Sequence, residues 1–421
     1  MSCTNGTILF VMPRLPFPAV SGRKTSLYHY CRILSEELGY RLVVAAFLEK
    51  GDKPEEKPDF ISRLVVLPKA KASKKIGYIF KDSLIKKKKP MQVSLYWNPE
   101  AQKIVKQLAE EEKPDIVIGD MVRSIEYIKD LKAFRISDLD DRISLRYQRQ
   151  MDSDMDGINP YGAFLDTLPK LLRKMLSVKF VKRSVVKNEI KLLRNFELEM
   201  GRICERTVFV AQKEAEQFNE ELGERKAMAV PIGVDTEFFR YEPKNSKENY
   251  IGFLGAMNVA HNENAVRHFI DDIFPSVIKQ IPDAKFLVIG GGASDELQKL
   301  SNDHIIFSGR VKDVREYLDQ CKVFVCPMTF GSGIKTKNLE AMSMGLPLVT
   351  TSVGAENINA RDMQDWIVAD DEQGFANAVI DLLSDENKRQ IIGKNANEFI
   401  KKNFTWQVAK EKFQAIFEEL E

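Results

Sequence analysis

The chain has 421 residues, with 63 basic and 61 acidic side chains and a formal net charge of +2. This length is enough for two domains with separate apolar cores, and the balanced charge argues against a dedicated nucleic-acid-binding protein. The five cysteines show no C-x-x-C spacing, which indicates reduced thiols. The N-terminus does not match a signal peptide, and no run reaches about 18 apolar residues. We therefore expect a cytoplasmic protein.

Short apolar runs alternate with helical patterns along the chain, which is typical of parallel sheets covered by helices. The first half contains strand patterns at Ile8–Met12, Leu42–Phe47, Leu64–Leu67, Asp115–Gly119, Phe134–Ser137 and Thr207–Ala211. The second half contains them at Tyr250–Leu254, Lys285–Ile289, Ile305–Ser308, Val323–Cys326, Pro347–Thr350 and Trp366–Ala369. Two such sets predict two doubly wound α/β domains. Pro231 and Gly233 interrupt the pattern between them, which predicts a first domain over residues 1–230.

Charged residues follow predicted strands of the first domain, at the sheet edge where α/β proteins bind ligands. Gly22 and Arg23 open the helix after the first strand, where Gly22 allows close approach of a ligand and Arg23 supplies positive charge. Asp120 follows the strand Asp115–Gly119, and Arg123 lies nearby. Asp120 either takes part in the chemistry or caps the next helix, and the sequence leaves both roles open.

Three acidic residues, Asp138, Asp140 and Asp141, follow another predicted strand. A D-x-D pair of carboxylates can hold a divalent metal ion on a diphosphate. Because these residues precede a helical segment, helix capping by Asp140 or Asp141 is the favoured interpretation. We therefore predict no metal site.

Two stretches of the first domain combine many basic residues with apolar residues. They are Lys69–Lys89, which ends in four consecutive lysines, and Lys170–Lys187. Basic amphipathic segments of this kind bind anionic membranes, but solvated helix faces have the same composition. Both interpretations stay open, and membrane binding would place the protein at the inner face of the cytoplasmic membrane.

A glycine-rich turn in the second half is the most informative feature of the chain. It lies in Phe330–Met342, FGSGIKTKNLEAM, directly after the strand Val323–Cys326. Gly331 and Gly333 bracket Ser332, and a helix is predicted to follow. The free backbone N–H groups at the start of such a helix favour a bound anion.

The same stretch carries charged residues suited to a phosphate-bearing ligand with hydroxyl groups. Lys335 and Lys337 add positive charge next to the turn, and Glu340 shares a helix face with Lys337. The Walker phosphate loop is excluded because its glycine–lysine spacing does not occur. An ordinary strand–helix corner with solvated lysines has the same spacing, so spacing alone leaves both interpretations open.

This stretch and its continuation, LEAMSMGLPLVTTSVGAENI, resemble the donor-binding signature of the family 4 retaining glycosyltransferases. Further segments are similar to that family, namely PIGVDTEFF (231–239), IGFLGAMNVAHNENAV (251–266), GRVKDVREYLDQC (309–321) and NFTWQVAKEKF (403–413). Ile8–Glu36 resembles a subgroup of exosortase-associated sugar transferases in surface polysaccharide synthesis.

The resemblance implies the GT-B fold, in which two Rossmann-like domains face one another across a cleft. Residues 1–230 would form the acceptor-binding domain, and residues 231–402 would bind the nucleotide sugar. Residues 403–421 would form a helix that returns to the first domain. The donor would be a UDP- or GDP-linked sugar, and no cofactor is expected.

The resemblance also implies roles for individual residues. The donor contacts would be Gly22, Arg23, Gly255, Asn258, Arg310, Val311, Gly331, Ser332, Gly333, Lys335, Lys337 and Glu340. The residues taking part in catalysis would be Asp120, Lys337 and Glu340. The acceptor side would hold Asp120, Arg123 and Asp138.

The sequence departs from the family pattern at two places. Ser332 stands where a sugar-binding glutamate is usual, which puts that contact with the sugar in doubt. Gly255 is followed by Ala256 instead of the usual phosphate-binding arginine. We infer that Lys335 and Lys337 take over the phosphate charge, while Asn258 contributes a neutral hydrogen bond.

The leading hypothesis is a retaining, metal-independent glycosyltransferase that acts on a glycan or lipid-linked acceptor in surface polysaccharide synthesis. A sugar-nucleotide epimerase with the same fold is the alternative among enzymes. A non-catalytic accessory subunit of a glycosyltransferase complex is the alternative of another class.

Overall fold

The computed structural model describes residues 5–19, 22–153, 178–241, 248–331 and 333–420. Ser332 and the part of the second basic stretch before Val178 lie outside these residues. The chain divides into two compact units. The first comprises Met1–Ile232 together with Ala409–Glu421, and the second comprises Gly233–Val408.

The first unit contains a seven-stranded parallel sheet with the strand order β3-β2-β1-β4-β5-β6-β7. Its strands are β1 (Thr7–Met12), β2 (Arg41–Ala46), β3 (Arg63–Val66), β4 (Ile116–Asp120), β5 (Phe134–Asp140), β6 (Arg206–Phe209) and β7 (Ala227–Ala229). The predicted strands of this half are confirmed. The sequence missed β7, a short edge strand with two alanines, which favour strands weakly.

Helices cover this sheet. They are α1 (Gly22–Arg32), α2 (Ala72–Tyr78), α3 (Met91–Tyr96), α4 (Pro99–Glu112), α5 (Met121–Ile125), α6 (Ile143–Ser153), α7 (Lys179–Ile203) and α8 (Gln212–Leu222). Two π-helical segments, Ile33–Glu37 and Ile79–Ile85, continue α1 and α2. The central strands β1, β2 and β4 are almost entirely buried, as expected for a parallel sheet covered on both faces.

The second unit contains a six-stranded parallel sheet with the order β10-β9-β8-β11-β12-β13. Its strands are β8 (Tyr250–Leu254), β9 (Lys285–Ile289), β10 (Ile305–Phe307), β11 (Cys321–Cys326), β12 (Leu348–Thr350) and β13 (Ile367–Val368). Its helices are α9 (Ala260–His268), α10 (Phe274–Gln280), α11 (Asp295–Gln298), α12 (Arg315–Leu318), α13 (Thr336–Ser343), α14 (Glu372–Ser384) and α15 (Glu386–Asn403). The last helix, α16 (Trp406–Phe417), begins in this unit and continues into the first.

Each sheet has one place where the strand order reverses. It lies between β1 and β4 in the first unit and between β8 and β11 in the second. The loops that leave neighbouring strands there diverge to opposite faces of the sheet and open a crevice, which is where α/β proteins bind ligands. In the first unit, Arg23 follows β1 and Asp120 ends β4, and in the second unit Gly255 and Lys335 follow β8 and β11.

In the part of the chain that the structure describes, no helix combines the length and apolar character needed to cross a bilayer.

Candidate active site

The glycine-rich turn of the second unit joins β11 to α13. Gly331 has a φ of 126° and Gly333 a φ of 76°, values that favour glycine over residues with a side chain. Lys335 occupies the N-cap position of α13, and Lys337 lies in the first turn of this helix. The predicted helix is therefore present, and it starts just after the turn.

Lys335 and Lys337 are largely buried. Lys335 Nζ donates to the carbonyl oxygen of Gly333 at 2.8 Å. Lys337 Nζ donates to Asn262 Oδ1 at 2.5 Å and lies 4.3 Å from the centre of the Phe253 ring. Burial lowers the pKa of both lysines, that of Lys337 to about 8. The two ammonium groups thus concentrate positive charge in a poorly solvated place.

Glu340 lies one turn after Lys337 on α13. Burial raises the pKa of its carboxyl to about 7, although Lys337 opposes this shift. Within the described ranges, no protein donor forms a hydrogen bond with this carboxylate. Glu340 is therefore available to accept hydrogen bonds from hydroxyl groups of a ligand.

His261, Asn262 and Glu356 also belong to this site, and the sequence did not indicate them. Burial and the two lysines lower the pKa of His261 to about 4, so its imidazole is neutral at pH 7. Glu356 Oε2 accepts a hydrogen bond from the N–H of Gly333 at 3.2 Å. This N–H group, which was expected to face a phosphate, is thus bonded to a carboxylate. No sequence motif marks these residues, because they come from other loops and helices.

The loops after β8, β9 and β10 come together at the same sheet edge. A Cβ added to Gly290 would lie 2.0 Å from the carbonyl oxygen of Gly255. A Cβ added to Gly292 would lie 3.1 Å from Asn258, and one added to Gly291 would lie 3.1 Å from Arg310 Cβ. The three glycines therefore allow this close packing.

The structure brings most of the predicted donor contacts of this unit to one edge. Asn258 and Arg310 are exposed there, while Val311 is half-buried and packs against the core. Lys337 Nζ lies 3.0 Å from the position that a Cβ on Gly255 would occupy. The contacts of all these residues with a nucleotide stay predictions.

In the first unit, Arg23 lies among three carboxylates. Its Nη2 donates to Asp120 Oδ1 at 2.5 Å and to Asp138 Oδ2 at 2.7 Å, and its Nη1 donates to Asp140 Oδ1 at 2.9 Å. Only 8% of the Arg23 side chain is exposed. The positive charge of Arg23 is thus already balanced by protein groups, and its predicted contact with the donor stays a prediction.

Asp120 does not cap α5 through its side chain. Its Oδ2 atom is buried and has no hydrogen-bond partner among the described residues. Burial raises the pKa of Asp120 and that of Asp138, the latter to about 7, although Arg23 opposes both shifts. An unsatisfied buried oxygen is costly unless a ligand completes its bonding. Asp120 Oδ2 is therefore an unsatisfied acceptor at the carboxyl end of β4.

The capping role expected for Asp140 or Asp141 is not seen in the first turn of α6. Asp140 binds Arg23, and Asp141 Oδ2 accepts from Arg146 Nη1 at 2.7 Å. Glu197 Oε1 instead accepts from the N–H of Ser144 at 3.0 Å. The capping carboxylate thus comes from a distant helix, which no local pattern could indicate.

One carboxylate that binds Arg23, Asp140, and the residue that follows another, Met121, have strained backbone conformations. Met121 has a φ of 57° and Asp140 a φ of 65°. Such conformations cost free energy in residues with side chains and concentrate at functional sites. Arg123, the other acceptor-side candidate, donates through Nε to Gln92 Oε1 at 3.0 Å and lies 5.4 Å from the centre of the Tyr96 ring.

The basic stretch Lys69–Lys89 forms α2 and the π-helical segment after it. Ile79 is buried in a cluster that also includes Val181 and Val185 of α7. Lys86–Lys88 are exposed, and Ile85 is 75% exposed. The protein itself thus covers much of the apolar side of this stretch and leaves the lysines in solvent.

The second unit contains a match to a known protein family, and the chain is similar to several known proteins. A family model described as Glycosyl transferases group 1 matches residues 248–385, which hold the glycine-rich turn, both lysines and Glu340. An uncharacterized 44.6 kDa protein in the cps region of Klebsiella pneumoniae is 28% identical over 43% of this chain and 48% of its own length. A phosphatidyl-myo-inositol mannosyltransferase of Mycolicibacterium smegmatis is 26% identical over 46% of this chain and 52% of its own length. The chain spans about half the length of these curated relatives.

The likeness to solved structures extends over both units. Anabaena HepE in complex with UDP matches with a TM-score of 0.64 and 14% identity, covering 98% of this chain and 100% of that chain. Likeness at this identity shows the fold, which is GT-B. Residues 248–385 of the second unit are thus similar to the group 1 glycosyltransferases. The subgroup that Ile8–Glu36 resembles stays a prediction.

Proposed function

We propose that this protein is a retaining glycosyltransferase. It transfers a sugar from a UDP- or GDP-linked donor to a glycan or lipid-linked acceptor in surface polysaccharide synthesis. One observation carries the proposal. Lys335, Lys337 and Glu340 cluster at the reversal point of the second sheet, inside the segment that matches the group 1 glycosyltransferases.

The donor site is suited to stabilising a leaving nucleoside diphosphate. In the transfer, the bond between C1 of the sugar and the phosphate oxygen breaks, and negative charge grows on the diphosphate. Lys335 and Lys337 neutralise this charge in a place where water screens it poorly. Glu340 accepts hydrogen bonds from the ribose hydroxyls. The acceptor oxygen bonds to C1 on the face that the diphosphate leaves, and its proton passes to the departing phosphate.

The first unit supplies the acceptor contacts in this proposal. The unsatisfied Oδ2 of Asp120 orients the acceptor hydroxyl, while Arg23 holds the carboxylate in place. Asp138 and Arg123 line the same sheet edge. No step is assigned to a metal ion.

Two relatives support the kinds of substrate that we propose. The HepE structure contains UDP, and the Mycolicibacterium relative is named for a lipid acceptor, phosphatidyl-myo-inositol. The exposed lysines Lys86–Lys88 support a peripheral position on an anionic membrane, where lipid-linked acceptors are found. A cytoplasmic location at the inner face of the membrane follows from these substrates.

Nucleotide binding tests the donor site directly. We expect UDP or GDP to raise the melting temperature, because a ligand that binds only the folded state stabilises it. Replacing Lys337 by alanine removes a charge-assisted contact, so we expect the Kd measured by calorimetry to increase by about 30-fold.

The variant Lys299→Ala serves as the control, because Lys299 is an exposed lysine of the same unit. It should bind nucleotide like the wild type. If neither nucleotide nor any of a panel of nucleotide sugars stabilises the wild type, the proposal is wrong. A wild-type protein that converts the donor sugar without an acceptor would instead favour the epimerase.

A further inference from the structure

We infer that Asn262 is a positioning residue that holds the ammonium group of Lys337 at the phosphate position of the donor site. This inference rests on the proposed function. It assigns a role to a residue that neither the family resemblance nor the sequence pattern singled out.

The carboxamide of Asn262 joins two different elements. Asn262 lies in the first turn of α9 and is only 6% exposed. Its Nδ2 donates to the carbonyl oxygen of Ala256 at 2.9 Å, and its Oδ1 accepts from Lys337 Nζ at 2.5 Å. An ammonium group can only donate and a carbonyl oxygen can only accept. The amide oxygen of Asn262 therefore faces Lys337, and its NH2 group faces the carbonyl of Ala256.

The bridge crosses the reversal point of the sheet. Ala256 belongs to the loop after β8, whereas Lys337 belongs to the helix after β11. A Cβ on Gly255 would lie 2.9 Å from Asn262 Nδ2 and 3.0 Å from Lys337 Nζ. Lys337 therefore reaches the backbone of the β8 loop only because Gly255 has no side chain. The ammonium group of Lys337 therefore lies beside the loop after β8. In this loop, Ala256 stands where the family pattern has an arginine.

The ammonium group of Lys337 has hydrogen-bond donors left with which it can bind an anion. Lys337 Nζ has three donors, and within the described residues Asn262 is its one hydrogen-bond acceptor. The centre of the Phe253 ring lies 4.3 Å from Lys337 Nζ, and the ring offers no acceptor of comparable strength. Without Asn262, the flexible lysine side chain would have to be ordered by the ligand, which lowers affinity.

Several titratable groups face Lys337 and are common to the variants proposed below. They are Lys335, Cys326, Glu340 and His261. Burial lowers the pKa of Lys337 to about 8, so nucleotide affinity in the wild type should decline above pH 8 as the ammonium loses its proton.

The variant Asn262→Asp tests the inference through the pH profile of nucleotide affinity. The new carboxylate would lie against the ammonium, neutralise part of its charge and raise the pKa of Lys337. We expect affinity for UDP or GDP at pH 7 to fall by about tenfold. The alkaline decline should begin about one pH unit higher than in the wild type.

The variant Asn262→Ala removes the bridge without adding charge. Its affinity should also fall by about tenfold, with the alkaline decline still near or below pH 8. Asn264→Asp is the matched control on the same helix, since Asn264 bonds to Thr329 and not to Lys337. It should keep wild-type affinity and pH profile.

The outcomes separate the inference from the proposed function. If the wild type binds no nucleotide, the proposed function fails. If the wild type binds but both Asn262 variants match the control in affinity and pH profile, only the positioning role is wrong. A lower melting temperature with unchanged affinity and pH profile would show a purely structural residue and would also overturn the inference.

Discussion

The buried basic residues of the two candidate sites differ in whether carboxylates neutralise their charge. In the first unit, one guanidinium, that of Arg23, is shared by three carboxylates. In the second unit, Lys335 and Lys337 have no carboxylate within ion-pair distance in the described part of the chain. The second site is therefore suited to an anion such as a diphosphate. The first, with excess buried negative charge, is suited to hydroxyl groups that donate hydrogen bonds.

Glu340 offers a residue-level prediction about the nucleoside. If its carboxylate binds the ribose, Glu340→Gln should weaken UDP binding by about tenfold, because a neutral amide accepts hydrogen bonds less strongly. The affinity for inorganic diphosphate should stay unchanged. Calorimetric titration with both ligands measures the difference.

An exposed glutamate of the same unit provides the control for this experiment. Glu398→Gln should leave both affinities at the wild-type value, since the Glu398 side chain is 63% exposed and lies on α15. An equal loss of UDP and diphosphate affinity in Glu340→Gln would contradict the ribose contact and point to a general effect on the phosphate site.

Local spacing in the sequence indicated the charged residues of the donor turn but not every residue that they contact. Lys335, Lys337 and Glu340 follow one glycine turn, so local spacing places them on one helix. Asn262 and Glu356 come from elements far away in sequence. Their contacts depend on how the sheet is assembled, and no local pattern carries that information.

At the level of elements, the strands were predicted well because each is a short apolar run between helical patterns. Buried parallel strands need apolar residues on both faces, and this composition is visible in the sequence. The helix after Gly333 was also foreseen. The edge strand β7 was missed, because a three-residue strand with two alanines has weak strand preference of its own and pairs with β6 in the folded sheet.

Two buried glutamates of α7 stabilise the N-termini of other helices. Glu189 accepts hydrogen bonds from the N–H groups of Met91 at 2.8 Å and Gln92 at 3.2 Å, at the start of α3. Glu197 does the same for Ser144 at the start of α6. The first N–H groups of a helix have no partner within it, so α7 binds two neighbours through these hydrogen bonds as well as packing.

The burial of Glu197 predicts how stability depends on pH, and its hydrogen bonds with Ser144 oppose the effect of burial on its pKa. Burial raises the pKa of Glu197 to about 7, above its ordinary value, so the folded state holds this proton more tightly than the unfolded state. The resulting stabilisation is present at low pH and is lost as the pH rises through 7. The unfolding free energy of the wild type should decrease between pH 5.5 and 8. In Glu197→Gln, we expect this decrease to be smaller by about 1–2 kcal/mol. Urea denaturation measures it.

The control for this prediction lies on the same helix. Glu199 is exposed, so Glu199→Gln should keep the wild-type pH dependence. If Glu197→Gln shows the same decrease with pH as the wild type, ionisation of Glu197 does not contribute and the predicted linkage is wrong.

At the level of the whole molecule, membrane association is the testable question. Lys86, Lys87 and Lys88 are exposed, and each lysine near an anionic surface contributes about 1 kcal/mol. We expect the wild type to float with vesicles that contain anionic lipid, and high salt to release it. Changing these three lysines to glutamate should reduce flotation strongly.

A triple change elsewhere controls for net charge. Lys394, Lys401 and Lys402 are exposed lysines of α15, and their replacement by glutamate alters the total charge equally. This variant should float like the wild type. Equal flotation of both triple variants, or none by the wild type, would leave Lys69–Lys89 as a solvated surface.

The sequence by itself determined the class of fold and the chemistry of the donor turn. Both depend on local features, namely apolar runs of strand length and a glycine turn followed by Lys335, Lys337 and Glu340. Only the tertiary structure decided which groups those side chains meet. It placed Asn262 against Lys337, and it surrounded Arg23 with three aspartates. Parallel sheets bring together loops that are far apart in the chain, so these contacts follow from strand order.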